Sequence, residues 1–331
     1  MKGKAVLVTG GTGFLGSALV KALVQEGYRV TVLDDNSRGD PKRIAGLPHV
    51  DVVVGDVRDK LTVELLVSRS ECVFHLASVN GTRLFYETPS HVLEVGLIGT
   101  MNVLSAAAKH KVAEVLFTSS SEVYGEPSLI PTPEAESAKI ADVSNARFSY
   151  AGMKLAGEIA VVQFAREHGF RGLVIRPHNV YGPDMGYDHV VPDLIRKLWI
   201  SSREGRSRRA ELVIEGTGEE TRDFCYIDDF ISGMMLCWQS GRESSLFHVG
   251  TQRETSIRSL VSELSAISNI EITVIPTKRR PGSPVRRSAD ISALASLGYK
   301  PKISLREGLT RTWEDYVRRF QSESLVGECV S

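Results

Sequence analysis

The first half of the chain alternates short apolar runs with amphipathic stretches. The runs at 5–9, 29–33, 50–54, 72–76, 112–119 and 172–176 predict strands. The amphipathic stretches at 14–26, 60–68, 89–109 and 150–167 predict helices between them. Strands that alternate with helices in this way build an α/β fold, a Rossmann-type doubly wound parallel sheet with ligands beyond the carboxyl ends of the strands. After Arg176 the rhythm changes. The stretch 177–192 is rich in Pro, Gly and His, as an active-site loop would be, and 200–209 reads as an exposed, arginine-rich loop. Further strands are expected at 212–214, 224–227 and 247–249, and helices at 228–239 and 257–267. The expected organisation is a Rossmann-type domain over 1–176, with 221–250 returning to it. A smaller mixed α/β lobe is expected from 177–220 and 251–317, followed by a C-terminal tail at 318–331.

Composition narrows the partners. The chain has 331 residues, 42% hydrophobic and 24% charged, with zero formal net charge. It can bury a large core, and nothing in its charge suggests a nucleic acid or an anionic membrane. Cys72, Cys225, Cys237 and Cys329 are widely spaced, with no metal-ligand or disulfide pattern, which fits a reducing, cytoplasmic setting. A signal peptide is not expected from the opening residues, and no run is expected to reach the length of a membrane span.

Gly10, Gly13 and Gly16 follow the first strand and open the first helix, together with Phe14 and Leu15. Glycines there permit a tight turn and close approach of backbone to a pyrophosphate, and the helix N-terminus offers free N–H groups. Asp34 and Asp35 end the second strand, where a carboxylate takes the adenosine ribose and repels a 2′-phosphate, favouring NAD over NADP. Arg38 argues the other way. Asp56, beside Val57, is a candidate for the adenine amino group or for a helix N-cap. Leu76 and Ala77 end the fourth strand against the cofactor, and His75 before them reads as a packed, hydrogen-bonded residue. Ser120, Ser121 and Glu122 follow the fifth strand. Tyr150 and Lys154 lie four apart on one helix face, so an ammonium sits near a phenol. With the nicotinamide charge, Lys154 is expected to lower the Tyr150 pKa until the phenolate serves as a base.

Taken together, these residues resemble the extended short-chain dehydrogenase/reductase family, in its nucleotide-sugar epimerase, dehydratase and decarboxylase branch. The likeness runs from about Lys4 to Tyr316, through 9–16, 75–77, 99–104, 119–125, 150–158, 176–183, 221–229 and 281–291. It implies NAD as cofactor, with Pro177 against it, a nucleotide-diphosphate sugar as substrate, a transient 4-keto sugar, and a homodimer formed through the helices at 89–109 and 150–167. Tyr150 would be the base, Ser120 the bridge between sugar hydroxyl and phenol, and Lys154 the holder of the cofactor ribose. Ser121, Asn179, Arg222 and Arg286 would face the substrate, with Arg287 a further candidate. Ser121 stands where the 4,6-dehydratases of the branch carry an acid. Glu122 keeps a decarboxylase open, whereas 281–283 and 289–292 resemble 4-epimerases acting on UDP-glucuronate or UDP-glucose. The run 178–183 is similar to GDP-mannose 3,5-epimerases, but their cysteine within the Ser-rich motif is missing. The reading adopted is a 4-epimerase, with a decarboxylase second. A cofactor-binding sensor or scaffold is disfavoured, because Ser120, Tyr150 and Lys154 are all present.

Overall fold

The computed structural model describes residues 3–241 and 245–328, with side chains as far as 322. Strand β1 (Ala5–Thr9) turns through the glycines into α1 (Phe14–Gln25) and returns as β2 (Arg29–Asp34). There follow β3 (Val50–Val54), α2 (Lys60–Val67), β4 (Cys72–His75), α3 (Thr82–Glu87), α4 (Pro89–His110), β5 (Glu114–Thr118), α5 (Phe148–His168) and β6 (Arg171–Pro177). The second half contains β7 (Val180–Tyr181), α6 (Val190–Ser201), β8 (Arg209–Glu215), β9 (Thr221–Asp223), β10 (Cys225–Tyr226), α7 (Ile227–Gln239) and β11 (Ser245–Val249). It closes with β12 (Glu254–Ser256), α8 (Ile257–Ser268), β13 (Glu271–Thr277), α9 (Ser292–Ala295) and α10 (Leu305–Glu328).

Seven strands form one parallel sheet in the order β11-β6-β5-β4-β1-β2-β3. Alternation buries both faces of the inner strands, while the edge strand β3 stays largely exposed. Val6 and Val8 of β1 join the core under α1 and α7, while Leu7 joins the core under α2, α4 and α5. Strand order reverses between β1 and β4, so their carboxyl ends open a crevice, and both cofactor motifs end there. β11 extends the sheet beside β6, in register from Ser245 against Leu173 to Val249 against Pro177.

Outside the sheet, parallel β8 and β13 pack with α6 and α8 and roof the crevice. Three expectations change here. Ile200 and Ser201 complete α6, and Arg209 begins β8, so the 200–209 loop shrinks to the turn between them. The stretch from 318 continues α10 to Glu328 instead of forming a tail; 329–331, with Cys329, lie outside the described residues. The 22-residue α4 is long and apolar enough to cross a membrane, yet half of that span is buried, against α2 and α5.

Candidate active site

The crevice is a single cleft of about 1090 Å³, and Gly10, Gly13, Phe14, Leu15 and Gly16 form its floor at the end of β1. Two glycines are required by space. Gly10 sits at φ +72, and a Cβ on it would lie 2.8 Å from the Ala77 nitrogen; one on Gly16 would lie 2.0 Å from the Gly10 carbonyl oxygen. The cradle is therefore open to an extended anion at the N-terminus of α1, which fits a dinucleotide pyrophosphate. Asp34 ends β2 and ties the cradle in place. Its Oδ2 accepts from the Thr12 N–H at 2.9 Å and its Oδ1 from the Asn36 N–H at 2.9 Å. Asp35 lines the cleft but gives its carboxylate to the Ser37 amide, at 2.9 Å, and hydroxyl, at 2.6 Å. Asp56 and Val57 line the adjoining wall. Arg58 holds the Asp56 carboxylate below its ordinary pKa, and the cap of α2 is Asp59, not Asp56. Asn102 donates to the carbonyls of Val57 and Arg58, both at 3.0 Å, and so fixes that loop from α4.

Leu76, Ala77 and Pro177 complete the cofactor side. His75 is a packed residue: its Nδ1 lies 2.7 Å from the Thr9 hydroxyl and its Nε2 3.1 Å from the Thr100 hydroxyl. Burial, with Lys154 as a second cause, pushes its pKa down to about 3, so it stays neutral.

Tyr150 and Lys154 stand on the inward face of α5, both almost fully buried. The Tyr150 ring stacks on Phe85 at 4.6 Å between centroids, and Ser120, whose hydroxyl accepts from the Glu122 N–H at 3.1 Å, lines the same cleft. Lys154 Nζ donates to the Thr118 carbonyl at 2.7 Å and lies 5.7 Å from the centre of the Tyr150 ring. The expected lowering of the phenol by Lys154 is not what the protein groups produce. Burial and the Glu122 charge raise Tyr150, against smaller opposing effects of Ser120 and Arg38. Lys154 itself is pushed by burial down to about 7, with Glu158 pulling upward. Glu158, one turn further along α5, is clamped by Arg176, whose Nε lies 2.8 Å from one carboxylate oxygen and whose Nη2 lies 2.5 Å from the other. Ser119 donates to the same carboxylate.

The roof of the cleft is cationic. Arg147, Arg222 and Arg287 line it with Asn179, Ser120 and Ser121. Glu122 is held between two guanidiniums, with Arg147 Nη2 at 3.1 Å and Arg287 Nη1 at 2.7 Å. Burial opposes its ionisation, but Arg287 and Arg147 prevail and hold its pKa well below the carboxylate range. Arg222 donates to the Thr221 carbonyl at 2.7 Å, and burial, reinforced by Arg287, lowers its pKa to about 10. Among the described residues, these polar atoms of the roof have no hydrogen-bond partner: Asn179 Oδ1, Arg147 Nε, and Arg287 Nε and Nη2. Three guanidiniums against one carboxylate suit a diphosphate.

Arg286 does not belong to this group. It lies on the surface, paired with Glu254 at 2.6 Å, while its neighbour Arg287 turns inward. Arg147 was not foreseen, although it stands three residues before Tyr150, a spacing that shares a helix face. Thr118 and Glu158 were likewise not singled out as site residues, whereas the segment 184–189, expected from the sequence to line the sugar pocket, does line the cleft.

A dinucleotide cradle at a sheet switch point, with a Ser–Tyr–Lys group beside it, defines an NAD-linked oxidoreductase centre of the short-chain type. Comparison with known proteins sharpens this. The model of the NAD dependent epimerase/dehydratase family matches residues 6–250, and the chain belongs to that family. UDP-glucuronic acid decarboxylase 3 of Arabidopsis thaliana is 30% identical over 322 residues, 95% of this chain and 90% of its own length. Among solved structures, the UDP-glucose 4-epimerase of Thermotoga maritima with UDP-glucose superposes with a TM-score of 0.86 and 29% identity, over 96% of this chain and 99% of its own. The UDP-glucose 4-epimerase of Thermus thermophilus, in complex with NAD, gives 0.84 at 25% identity, over 94% and 98%. The protein is thus an enzyme of this family, and its cofactor is NAD.

Proposed function

We propose that the protein is a nucleotide-sugar 4-epimerase acting on a UDP-hexose or UDP-glucuronate through a transient 4-keto sugar. NAD, when bound, supplies a reversible hydride acceptor and a positive charge beside the phenol. Tyr150 takes the proton of the sugar C4 hydroxyl, and Ser120 holds that hydroxyl against the phenol. Lys154 anchors the cofactor ribose and keeps a cation next to Tyr150. Arg222, Arg287 and Asn179 grip the diphosphate, leaving the sugar free to turn before C4 is reduced again.

The observation that carries this reading is the state of Glu122. Pinned as a carboxylate between Arg147 and Arg287, it has no proton to give to a sugar C5. Proton exchange then falls to Tyr150, at C4. A second reading, a UDP-glucuronate decarboxylase, is favoured by the name of the Arabidopsis relative and by the presence of Glu122 itself. Incubation with UDP-glucose and with UDP-glucuronate, followed by proton NMR of the products, separates the two. The proposal requires a product of unchanged composition inverted at C4 from at least one of them. Carbon dioxide and a UDP-pentose would establish the second reading in its place. The proposal also takes the enzyme to be a cytoplasmic homodimer, without nucleic acid or membrane partners. Exposed Leu97, Ile98 and Met101 on α4 and Ile159 on α5 supply the apolar face that such a dimer needs.

A further inference from the structure

We propose that Asp188 sets the preference for NAD over NADP by holding Arg38 across the mouth of the cleft, away from a 2′-phosphate. The inference rests on the assignment of the cleft as the cofactor site. Arg38 follows Asp34 by four residues, in the loop after β2, where an arginine is a ready partner for the phosphate that distinguishes NADP. Its guanidinium is already engaged, with Nη1 3.5 Å from Asp188 Oδ2. The other Asp188 oxygen accepts from Arg83 Nε on α3 at 3.1 Å, and Arg83 Nη1 also pairs with Glu87 at 2.5 Å. One carboxylate from the 184–189 segment therefore bridges two arginines from two different elements.

The bridge is fitted into its surroundings. A Cβ on Gly81 would lie 2.9 Å from Asp188 Cβ and 3.0 Å from Arg38 Nη1, so backbone packs directly against the pair. Arg43 braces the same segment, with Nη1 on the Thr12 carbonyl at 3.0 Å and Nη2 on the Asp184 carbonyl at 2.9 Å. With Arg38 neutralised in this way, the carboxylates of Asp34 and Asp35 are the charges left at the ribose end, and they repel a 2′-phosphate. Without the Asp188 charge, Arg83 keeps its Glu87 partner while Arg38 loses its carboxylate and becomes free to take an anion, as guanidiniums do.

The test reads bound nucleotide, not turnover. Wild type, Asp188→Asn, Arg38→Ala and the double variant are equilibrated with equal NAD and NADP and separated from free nucleotide by gel filtration. They are then denatured, and the released nucleotides are quantified by chromatography. Asp188→Asn is expected to raise the NADP-to-NAD ratio at least about tenfold, the worth of one charge-assisted hydrogen bond. The double variant should return to the wild-type ratio, and Arg38→Ala alone should stay within about twofold of it, since an arginine already paired contributes little. An unchanged ratio in Asp188→Asn, or a gain that survives loss of Arg38, overturns the proposal. So does a large fall in the NADP share of Arg38→Ala, which would show Arg38 serving the phosphate already. Asp188→Ser replaces Asp188→Asn if the latter does not fold. Wild type that retains neither nucleotide would instead refute the cofactor-site assignment.

Discussion

Replacing Lys154 with Met should stabilise the nucleotide-free protein while it impairs catalysis. The Lys154 side chain is 2% exposed, and its ammonium has the Thr118 carbonyl at 2.7 Å and the Phe117 ring 5.0 Å from Nζ. Burial pushes its pKa down to about 7, whereas a lysine in the unfolded chain titrates near about 10.4. Between those values the unfolded state binds the proton that the folded state has lost, so stability rises with pH across that window. Below pH 7 the full cost applies, of order 5 kcal/mol at about 1.4 kcal/mol per pH unit. Methionine keeps the volume and removes the charge, but leaves the Thr118 carbonyl without this donor, a loss of about 1–3 kcal/mol. The net gain at pH 7 is about 2–4 kcal/mol. For a chain of 331 residues the entropy of unfolding makes each kcal/mol worth about 1.4 °C, so Tm should rise by about 3–6 °C. Scanning calorimetry of both proteins, stripped of nucleotide, from pH 7 to pH 9.5 measures this. The wild type should gain stability across the range and close the gap, while the variant stays nearly flat. A variant less stable than wild type, or two parallel pH profiles, would refute the idea that Lys154 is held at an energetic cost for function.

Tyr150→Phe should lower kcat by at least about a hundredfold, the usual worth of a general base, with NAD still bound; near-normal turnover would remove Tyr150 from its role. Asp34→Ala should narrow the gap between NAD and NADP affinity by about 1.5–3 kcal/mol and also lower Tm, because Thr12 and Asn36 lose their acceptor; titration calorimetry and thermal melts report the two effects separately. Glu122→Gln should retain measurable turnover, because Glu122 positions arginines and does not donate a proton. The same variant should flatten the acid side of the stability curve. A carboxylate whose folded pKa is depressed contributes stability above its ordinary value near about 4.3, and that contribution is lost as pH falls toward the folded pKa. Acid unfolding of Glu122→Gln that parallels wild type would contradict the Arg147–Glu122–Arg287 clamp.

Much of the sheet was legible because buried parallel strands must be short apolar runs separated by helices. Strands β1 and β3 begin and end where the pattern changes, and β2, β4, β5 and β6 differ from expectation by no more than two residues at either end. The second lobe was less legible. α6 contains Pro192, and the run 177–192 reads as a loop, yet that proline falls in the first turn of the helix, where its missing N–H costs nothing. β13 alternates with exposed residues and shows its pairing only beside β8, and the polar α10 shows its apolar stripe only against α6 and α8. The choice between Arg286 and Arg287 could not be made from adjacency. It is decided by Thr132, whose N–H reaches the Ser288 carbonyl at 2.8 Å and whose carbonyl accepts from the Asp290 N–H at 2.9 Å, fixing the register that turns Arg287 inward. The Arg38–Asp188 pair joins residues 150 positions apart, and no local pattern announces it.

The proposed chemistry confines hydrogen exchange to C4, and its most direct test is turnover in deuterium oxide. UDP-glucose and UDP-glucuronate are each incubated with the enzyme in that solvent, and the products are examined by mass spectrometry and NMR. Hydrogen that leaves C4 and returns to it without meeting solvent predicts an isomer inverted at C4, of unchanged mass and free of carbon-bound deuterium. A UDP-pentose carrying deuterium at C5, formed with loss of carbon dioxide, would contradict the 4-epimerase assignment.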